Sequence, residues 1–188
     1  MSRIIYEHAS VDRFTVGTVG LPGERAFFIQ ALSDAGLNTV AVEKNQVIAL
    51  SERMRELVKD LRRAELASLD ELSIEPVSDS KPLEFPIEED FTAGVIGFTW
   101  DASVQRIFVE LQAITEISEQ ELLSFDADIS DIEDPPDLLR VSLRIFQVRG
   151  FCDRAQALVA AGRQPCPFCG LPIDPNGHLC PRANGYRR

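Results

Sequence analysis

Long apolar runs are missing from the sequence, which has no stretch approaching the roughly 18 consecutive apolar residues of a transmembrane helix. Residues 1–6 contain neither the long apolar segment nor the small-residue cleavage site that mark a secretory signal peptide. From these absences we predict no membrane partner and expect a cytoplasmic location.

Histidine is scarce, with only His8 and His178 among 188 residues. His8 lies at the end of a predicted strand, where a lone histidine is usually structural. No Ser/His/Asp or Cys/His set can be assembled without assuming that distant residues meet, so we predict no catalytic residues. An enzyme with a site in the cleft between the two halves of the chain remains as an alternative.

Lysine is absent from residues 138–188, although this segment carries eight arginines and only two acidic residues, for a charge of +6. The whole chain has a net charge of −11, so the first 137 residues carry −17. Such an acidic chain argues against general nucleic-acid affinity. The asymmetry predicts either a charged partner or, as the favoured interpretation, neutralisation of the basic segment within the fold.

The chain contains an internal duplication. The segment Phe-Thr-Val-Gly-Thr-Val-Gly at 14–20 recurs as Phe-Thr-Ala-Gly-Val-Ile-Gly at 91–97, a shift of 77 residues. Downstream, matching residues in 46–57 recur in 147–158, a shift of 101. In each copy the glycines precede a second predicted strand rather than a helix. We therefore interpret them as bulges or close strand contacts and not as a phosphate-binding loop.

The first copy reads as three strands and a helix. Strands are predicted over 14–19, 26–32 and 39–43, separated by turns at 21–24 and 34–38. Asn45 is the predicted N-cap of the helix. Helical spacing predicts one apolar stripe, formed by Val47, Leu50, Met54, Leu57, Val58 and Leu61.

The second copy repeats that order. Strands are predicted over 91–99, 106–114 and 139–145, and Tyr6 and residues 83–85 are candidates for a leading strand in each half. The helix is predicted to end near Gly162. Its predicted buried residues are Val148, Phe151, Cys152, Ala155, Leu158 and Val159, which makes Cys152 a core thiol.

These patterns predict an α+β fold, in which duplicated βββα units form one or two antiparallel sheets with the helices packed on one face. The predicted divisions are a first repeat at 1–65, a linker at 66–82, a second repeat at 83–162 and a C-terminal module at 163–188. Within the second repeat, an insertion at 115–137 has nine acidic residues and no lysine or arginine. Its interspersed apolar residues predict that part of it packs on the core, while the acidic run that begins at Asp126 is interpreted as a solvated loop.

The strongest chemical signal is Cys166-Pro-Phe-Cys169 followed by Gly170, a spacing typical of a metal-binding knuckle. His178 and Cys180 stand two residues apart, so both can face the same side of an extended segment. The four residues Cys166, Cys169, His178 and Cys180 are the predicted ligands of one structural zinc ion. Two alternatives stay open: Asp174 as an oxygen ligand, and a redox-active thiol pair.

The tail after the cysteines is basic and contains an aromatic residue, a composition able to bind phosphates or stack on bases. A frayed tail is the structural alternative. The candidate partner-binding residues are Arg163, Arg182, Asn184, Tyr186, Arg187 and Arg188.

The duplicated segments, together with a C-terminal Cys-Pro-x-Cys-Gly, Asp-Pro-x-Gly-His-x-Cys and Asn-Gly-Tyr-Arg-Arg at 166–188, resemble an uncharacterised family of actinobacterial proteins. This family is a domain of unknown function, sometimes called "repeat protein". The resemblance covers essentially the whole chain. It implies no particular activity, but it does imply that the tail is a unit.

We therefore expect a non-enzymatic, zinc-stabilised adaptor that docks a cytosolic protein partner. The first alternative is binding of nucleic acid or a phosphorylated ligand through Arg163, Arg182, Tyr186, Arg187 and Arg188. The second alternative is the enzyme described above.

Overall fold

A computed structural model describes residues 3–21, 23–76, 78–115, 135–161, 166–169, 173 and 180–182 of the chain. These residues form seven strands and three helices. The strands are β1 (Ile5–His8), β2 (Arg13–Val19), β3 (Ala26–Ser33), β4 (Gly36–Val42), β5 (Phe91–Asp101), β6 (Arg106–Ala113) and β7 (Leu138–Leu143). The helices are α1 (Lys44–Arg63), α2 (Leu69–Ser73) and α3 (Ile145–Ala160).

All seven strands belong to one sheet, in the order β1-β7-β6-β5-β4-β3-β2. The fold is therefore α+β, dominated by this sheet. The predicted antiparallel pairing holds within β2–β3–β4 and within β5–β6–β7. It does not hold for the whole sheet, because β1 pairs with β7 in parallel and β4 pairs with β5 in parallel. The β4–β5 junction is short, with only the pairs Val40–Phe91 and Ala41–Thr92.

The sheet curls back on itself. The strands β1 and β2 form its two edges, yet only residues 9–12 connect them. That connection spans at most about 18 Å, whereas a flat seven-stranded sheet would be about 29 Å across. Curling brings Tyr6 of β1 against Phe91 of β5, with ring centroids 6.2 Å apart.

Both long helices share one hydrophobic core with the inner face of the sheet. In α1 the predicted stripe is confirmed, since Val47, Leu50, Met54 and Leu61 are buried while Leu57 and Val58 pack partly buried against the core. The predicted N-cap Asn45 was wrong. The N-cap is Glu43, whose backbone N–H donates to Gln46 Oε1 at 2.8 Å.

Helix α3 packs against α1 and β2. Its buried residues Val148, Phe151, Cys152 and Ala155 match the predicted stripe, and the Phe151 ring lies 4.8 Å from that of Phe14. The Cys152 thiol donates to the Ser51 carbonyl oxygen at 3.4 Å. Burial raises the pKa of Cys152 to about 12, so the thiol stays protonated at neutral pH. The prediction of a core thiol is confirmed.

Two glycines of the repeated segments mark close contacts, as expected. A Cβ atom on Gly17 would lie 2.4 Å from Leu83 Cγ. At Gly94, beside a register shift in the pairing of β5 with β6, a Cβ atom would lie 3.0 Å from Ile114 Cα. The absence of a side chain at both glycines lets Leu83 and Ile114 lie close to the strand backbone.

Residues 74–76 and 78–86, which we call the strap, run along the outer side of β2 and β3. The prediction of a leading strand at 83–85 was wrong, because the structure has no strand there. Instead the buried side chain of Gln30 pairs with the backbone of Glu84. Its Nε2 donates to the Glu84 carbonyl oxygen at 3.1 Å, and the Glu84 N–H donates to its Oε1 at 2.8 Å. The Gln30 amide thus makes the two backbone hydrogen bonds to Glu84 that a neighbouring strand would otherwise make.

Within residues 66–82, predicted as a linker, the structure has the helix α2. Ser68 caps it by accepting a hydrogen bond from the Glu71 N–H at 3.3 Å. Glu71 is buried and accepts from Arg144 Nη2 at 2.7 Å. This part of the chain is therefore fixed to the second half of the protein.

Candidate metal centre

Three cysteines converge after the end of α3. The Sγ atoms of Cys166, Cys169 and Cys180 all lie within 4.8 Å of one another, and those of Cys166 and Cys180 are 3.8 Å apart. None of the three forms a disulfide bond with another, and Cys166 and Cys180 are buried. The three thiols lie close enough to hold one metal ion.

The spacing agrees with thiolate coordination. Two thiolates on a tetrahedral ion with a metal–sulfur bond of about 2.3 Å are separated by about 3.8 Å. The distance between Cys166 and Cys180 has this value. A disulfide, with sulfur atoms about 2.05 Å apart, does not fit.

The backbone of the knuckle is arranged around the first thiol. The pKa of Cys166 is lowered from that of an ordinary thiol, chiefly because the backbone N–H of Cys169 donates to its sulfur. The backbone N–H of Phe168 adds to this effect, and so do the side chains of Cys169 and Cys180, while burial opposes it. The backbone amides of the knuckle therefore favour the thiolate form of Cys166.

Arg182 connects the two cysteine segments. Its side chain is exposed, and its Nη1 donates to the Phe168 carbonyl oxygen at 3.1 Å. Phe168 itself is 64% exposed at the tip of the knuckle. The other predicted ligand, the alternative oxygen ligand and the remaining tail residues lie outside the described residues: His178, Asp174, Arg163, Asn184, Tyr186, Arg187 and Arg188.

Helix α3 ends at Ala160, six residues before Cys166. Arg25 Nη1 donates to the carbonyl oxygen of Ala161, just after this helix, at 3.2 Å. None of the three cysteines belongs to the hydrophobic core that α1, α3 and the sheet share. The cysteines are therefore packed apart from that core.

Four arginines of the basic segment pair with acids of the first 137 residues. The pairs are Arg140–Glu110 at 2.7 Å, Arg144–Glu71 at 2.7 Å, Arg149–Glu75 at 3.9 Å and Arg154–Asp79 at 3.4 Å. For these four arginines, neutralisation within the fold is confirmed.

Asp79 is a central polar residue that the sequence did not reveal. Its Oδ2 accepts from Arg13 Nε at 2.9 Å and from the Thr15 hydroxyl at 2.7 Å, while its Oδ1 pairs with Arg154. Burial alone would raise its pKa, but the hydrogen bonds from Arg13 and Thr15 and the charges of both arginines lower it overall. These contacts join residues that are 64 to 75 positions apart in the sequence, so no local motif predicts them.

His8 is structural, as expected. It is buried, with Nδ1 2.7 Å from the Ser33 hydroxyl and Nε2 2.9 Å from Asn38 Oδ1. Both ring nitrogens are thereby used to join β1 to the β3–β4 hairpin.

Comparison with known proteins identifies the family. Residues 6–180 match the family model "Protein of unknown function (DUF3090)", and the chain belongs to this family. No curated protein and no solved structure matches the chain. Among the described helices, none has both the length and the apolar character that crossing a bilayer requires.

Proposed function

We propose that the protein is a zinc-stabilised adaptor, whose C-terminal knuckle docks another protein. The convergence of Cys166, Cys169 and Cys180 carries this proposal. His178, two residues before Cys180, is the proposed fourth ligand. The adaptor would act in the cytoplasm.

Zinc is the metal that best fits this donor set. Thiolates are soft ligands, and a set of three sulfurs and one imidazole in a tetrahedron is typical of structural zinc. Four protein ligands leave no position for a substrate or a water, which favours a structural role over a catalytic one. The ion would hold the two cysteine segments together and so fix the conformation of the knuckle.

Phe168 is the proposed anchor for the partner. Aromatic residues held rigidly at a surface supply a large contact area with little loss of conformational entropy on binding. Phe168 is exposed between two cysteine ligands, and Arg182 holds its carbonyl group. A protein partner is favoured over nucleic acid because Arg140, Arg144, Arg149 and Arg154 are already paired inside the fold.

Elemental analysis of the purified chain tests the metal. We expect about one zinc per chain, and its loss in Cys166→Ser, because three ligands bind zinc much less tightly than four. Cys152→Ala is the matched control and should keep the metal, since Cys152 lies in the core. Protein purified under reducing conditions without zinc, or Cys166→Ser with full zinc content, would contradict the proposal.

Phe168→Ala tests the docking role. It should keep the zinc and the unfolding midpoint but lose partners that crosslinking in cells attaches to the wild-type chain. The control is Phe85→Ala, because Phe85 is 76% exposed but belongs to the strap. Identical crosslinked partners for both variants and for the wild type would show that the knuckle is not the docking surface.

We also propose that the two halves are repeats of one βββα unit. The runs β2-β3-β4-α1 and β5-β6-β7-α3 support this, each being three consecutively paired strands and a helix. Equivalent glutamines add support. Gln46 and Gln147, 101 positions apart, each accept from the backbone N–H of the residue preceding their helix, at 2.8 and 2.9 Å.

A further inference from the structure

Two grooves of the protein are lined by equivalent helix positions. The groove between α3 and β2 is lined on its helix side by Phe146 and by Gln147, Gly150, Phe151 and Arg154. The groove between α1 and β5 is lined on its helix side by Gln46, Ala49, Leu50 and Arg53. Each of these four α1 residues lies 101 positions before one of the four α3 residues Gln147, Gly150, Phe151 and Arg154, in the same order.

In each groove the equivalent glutamine bonds to the backbone of the neighbouring strand or of its entry. In the α3–β2 groove, Gln147 Nε2 donates to the Val11 carbonyl oxygen at 2.9 Å, at the entry to β2. In the α1–β5 groove, Gln46 Nε2 donates to the carbonyl oxygens of Ala93 and Gly94, at 3.0 and 3.1 Å. The equivalent glutamine thus joins its helix to a strand in each groove, although the strand positions differ: Val11 lies before β2, whereas Ala93 lies within β5.

The α3–β2 groove is closed by the strap. Residues 78–81 and Glu84 line it, and the Asp79 carboxylate pairs with Arg154 at 3.4 Å. Arg154 also donates to the backbone carbonyl oxygens of Val16 and Asp79. An extended segment with an acidic side chain is therefore what this groove accommodates.

The α1–β5 groove has no strap among the described residues. It is a cleft of about 140 Å³ whose strand side consists of Gly94, Ile96 and Phe98. Arg53, the counterpart of Arg154, is exposed, and within the described part of the chain it makes no ion pair or hydrogen bond. Pairing of β4 with β5 ends at Thr92, so no strand among the described residues pairs with the backbone of β5 beyond Thr92 on that side.

We propose that the α1–β5 groove is a docking site for an extended acidic peptide of a partner protein. An acidic side chain of the peptide pairs with the Arg53 guanidinium, as Asp79 pairs with Arg154. The peptide backbone lies along the free edge of β5, a recognised mode of peptide binding. Ile96 and Phe98 receive its apolar side chains. This site is separate from the cysteines, so its failure would leave the zinc proposal untouched.

A synthetic peptide with the strap sequence, residues 74–86, is the probe. It carries a fluorescent label, and binding to the full-length chain is followed by fluorescence anisotropy. We expect saturable binding that weakens at least tenfold in Arg53→Glu and when Asp79 of the peptide is replaced by asparagine. Arg62→Glu is the matched control, because it makes the same charge change at an exposed position of α1 and should bind as the wild type does.

Three results would overturn the proposal. The first is no saturable binding to the wild-type chain. The second is equal binding to Arg53→Glu, which would mean that the peptide enters the α3–β2 groove instead. The third is binding only after residues 116–134 are replaced by a glycine–serine linker, which would assign the groove to the chain's own acidic segment.

Discussion

The carboxylate of Asp79 joins three parts of the protein. It binds Arg13 and Thr15 of β2 and Arg154 of α3, and thereby fixes the strap to both. Its side chain is only 21% exposed, so its hydrogen bonds are partly shielded from water. Shielded ion pairs depend strongly on both partners, because removal of one leaves the other buried without a counterion.

Asp79→Asn should therefore lower the free energy of unfolding by about 2 kcal/mol, measured by urea denaturation at neutral pH. Asp60→Asn is the control. The Asp60 carboxylate lies 3.6 Å from Arg63 and the Asp60 side chain is 68% exposed, so loss of this ion pair should change the free energy of unfolding by less than about 0.5 kcal/mol. Equal midpoints for the two variants would contradict the role given to Asp79.

The same residue predicts a pH dependence. The pKa of Asp79 is lowered in the fold, so its ionised form stabilises the native state. This contribution is fully present above the unfolded pKa of about 3.9 and is lost as the pH falls through the lower folded pKa. The stability gap between the wild type and Asp79→Asn should thus shrink between about pH 5 and pH 2. A gap that stays constant over this range would show that Asp79 is not ionised in the pair.

At the scale of elements, the strap depends on a glycine. Gly17→Ala places a Cβ atom 2.4 Å from Leu83 Cγ and should destabilise the protein by about 1–3 kcal/mol through overpacking. Gly97→Ala is the matched control, since a Cβ atom there meets nothing within 4 Å. Urea midpoints of the two variants give the comparison. The double variant Gly17→Ala, Leu83→Ala should lose less unfolding free energy than the sum of the losses in the two single variants. A loss equal to that sum would mean that the two residues do not interact.

Alternating and helical apolar patterns predicted most elements well, because each strand or helix buries one face of a regular period. Strands β2, β3, β5 and β6 lie within two residues of their predicted ends. The turn expected at 34–38 was too long, because Asn38 pairs within the hairpin and binds His8 and Asp90 with its side chain. Such pairing depends on distant residues and leaves no local pattern.

The pairing of elements was harder to predict than their existence. Nothing near Ile5 or Val40 indicates that β1 joins β7 or that β4 joins β5. The convergence of the three cysteines was the opposite case. A knuckle is defined by its local spacing, so Cys166 and Cys169 were evident, and Cys180 followed from the need for further ligands.

For the whole molecule, we expect the core to fold without residues 162–188, because it contains none of them. A chain ending at residue 161 keeps the whole core and should melt within about 2 °C of the full-length chain, measured by circular dichroism. A chain ending at residue 150 is the contrasting case, because it lacks the core residues Phe151, Cys152 and Ala155. Loss of cooperative melting in the chain that ends at residue 161 would show that residues 162–188 are needed to hold the core together.

The pairing of β1 with β7 also concerns protein synthesis. Ile5 pairs with Leu138, and the backbone N–H of Ile4 donates to Asp137 Oδ1 across a sequence separation of 133 residues. At a translation rate of about 5–20 residues per second, β7 emerges from the ribosome roughly 7–27 s after β1. During that interval the first strand made has no partner, and its backbone is open to other nascent chains and to chaperones.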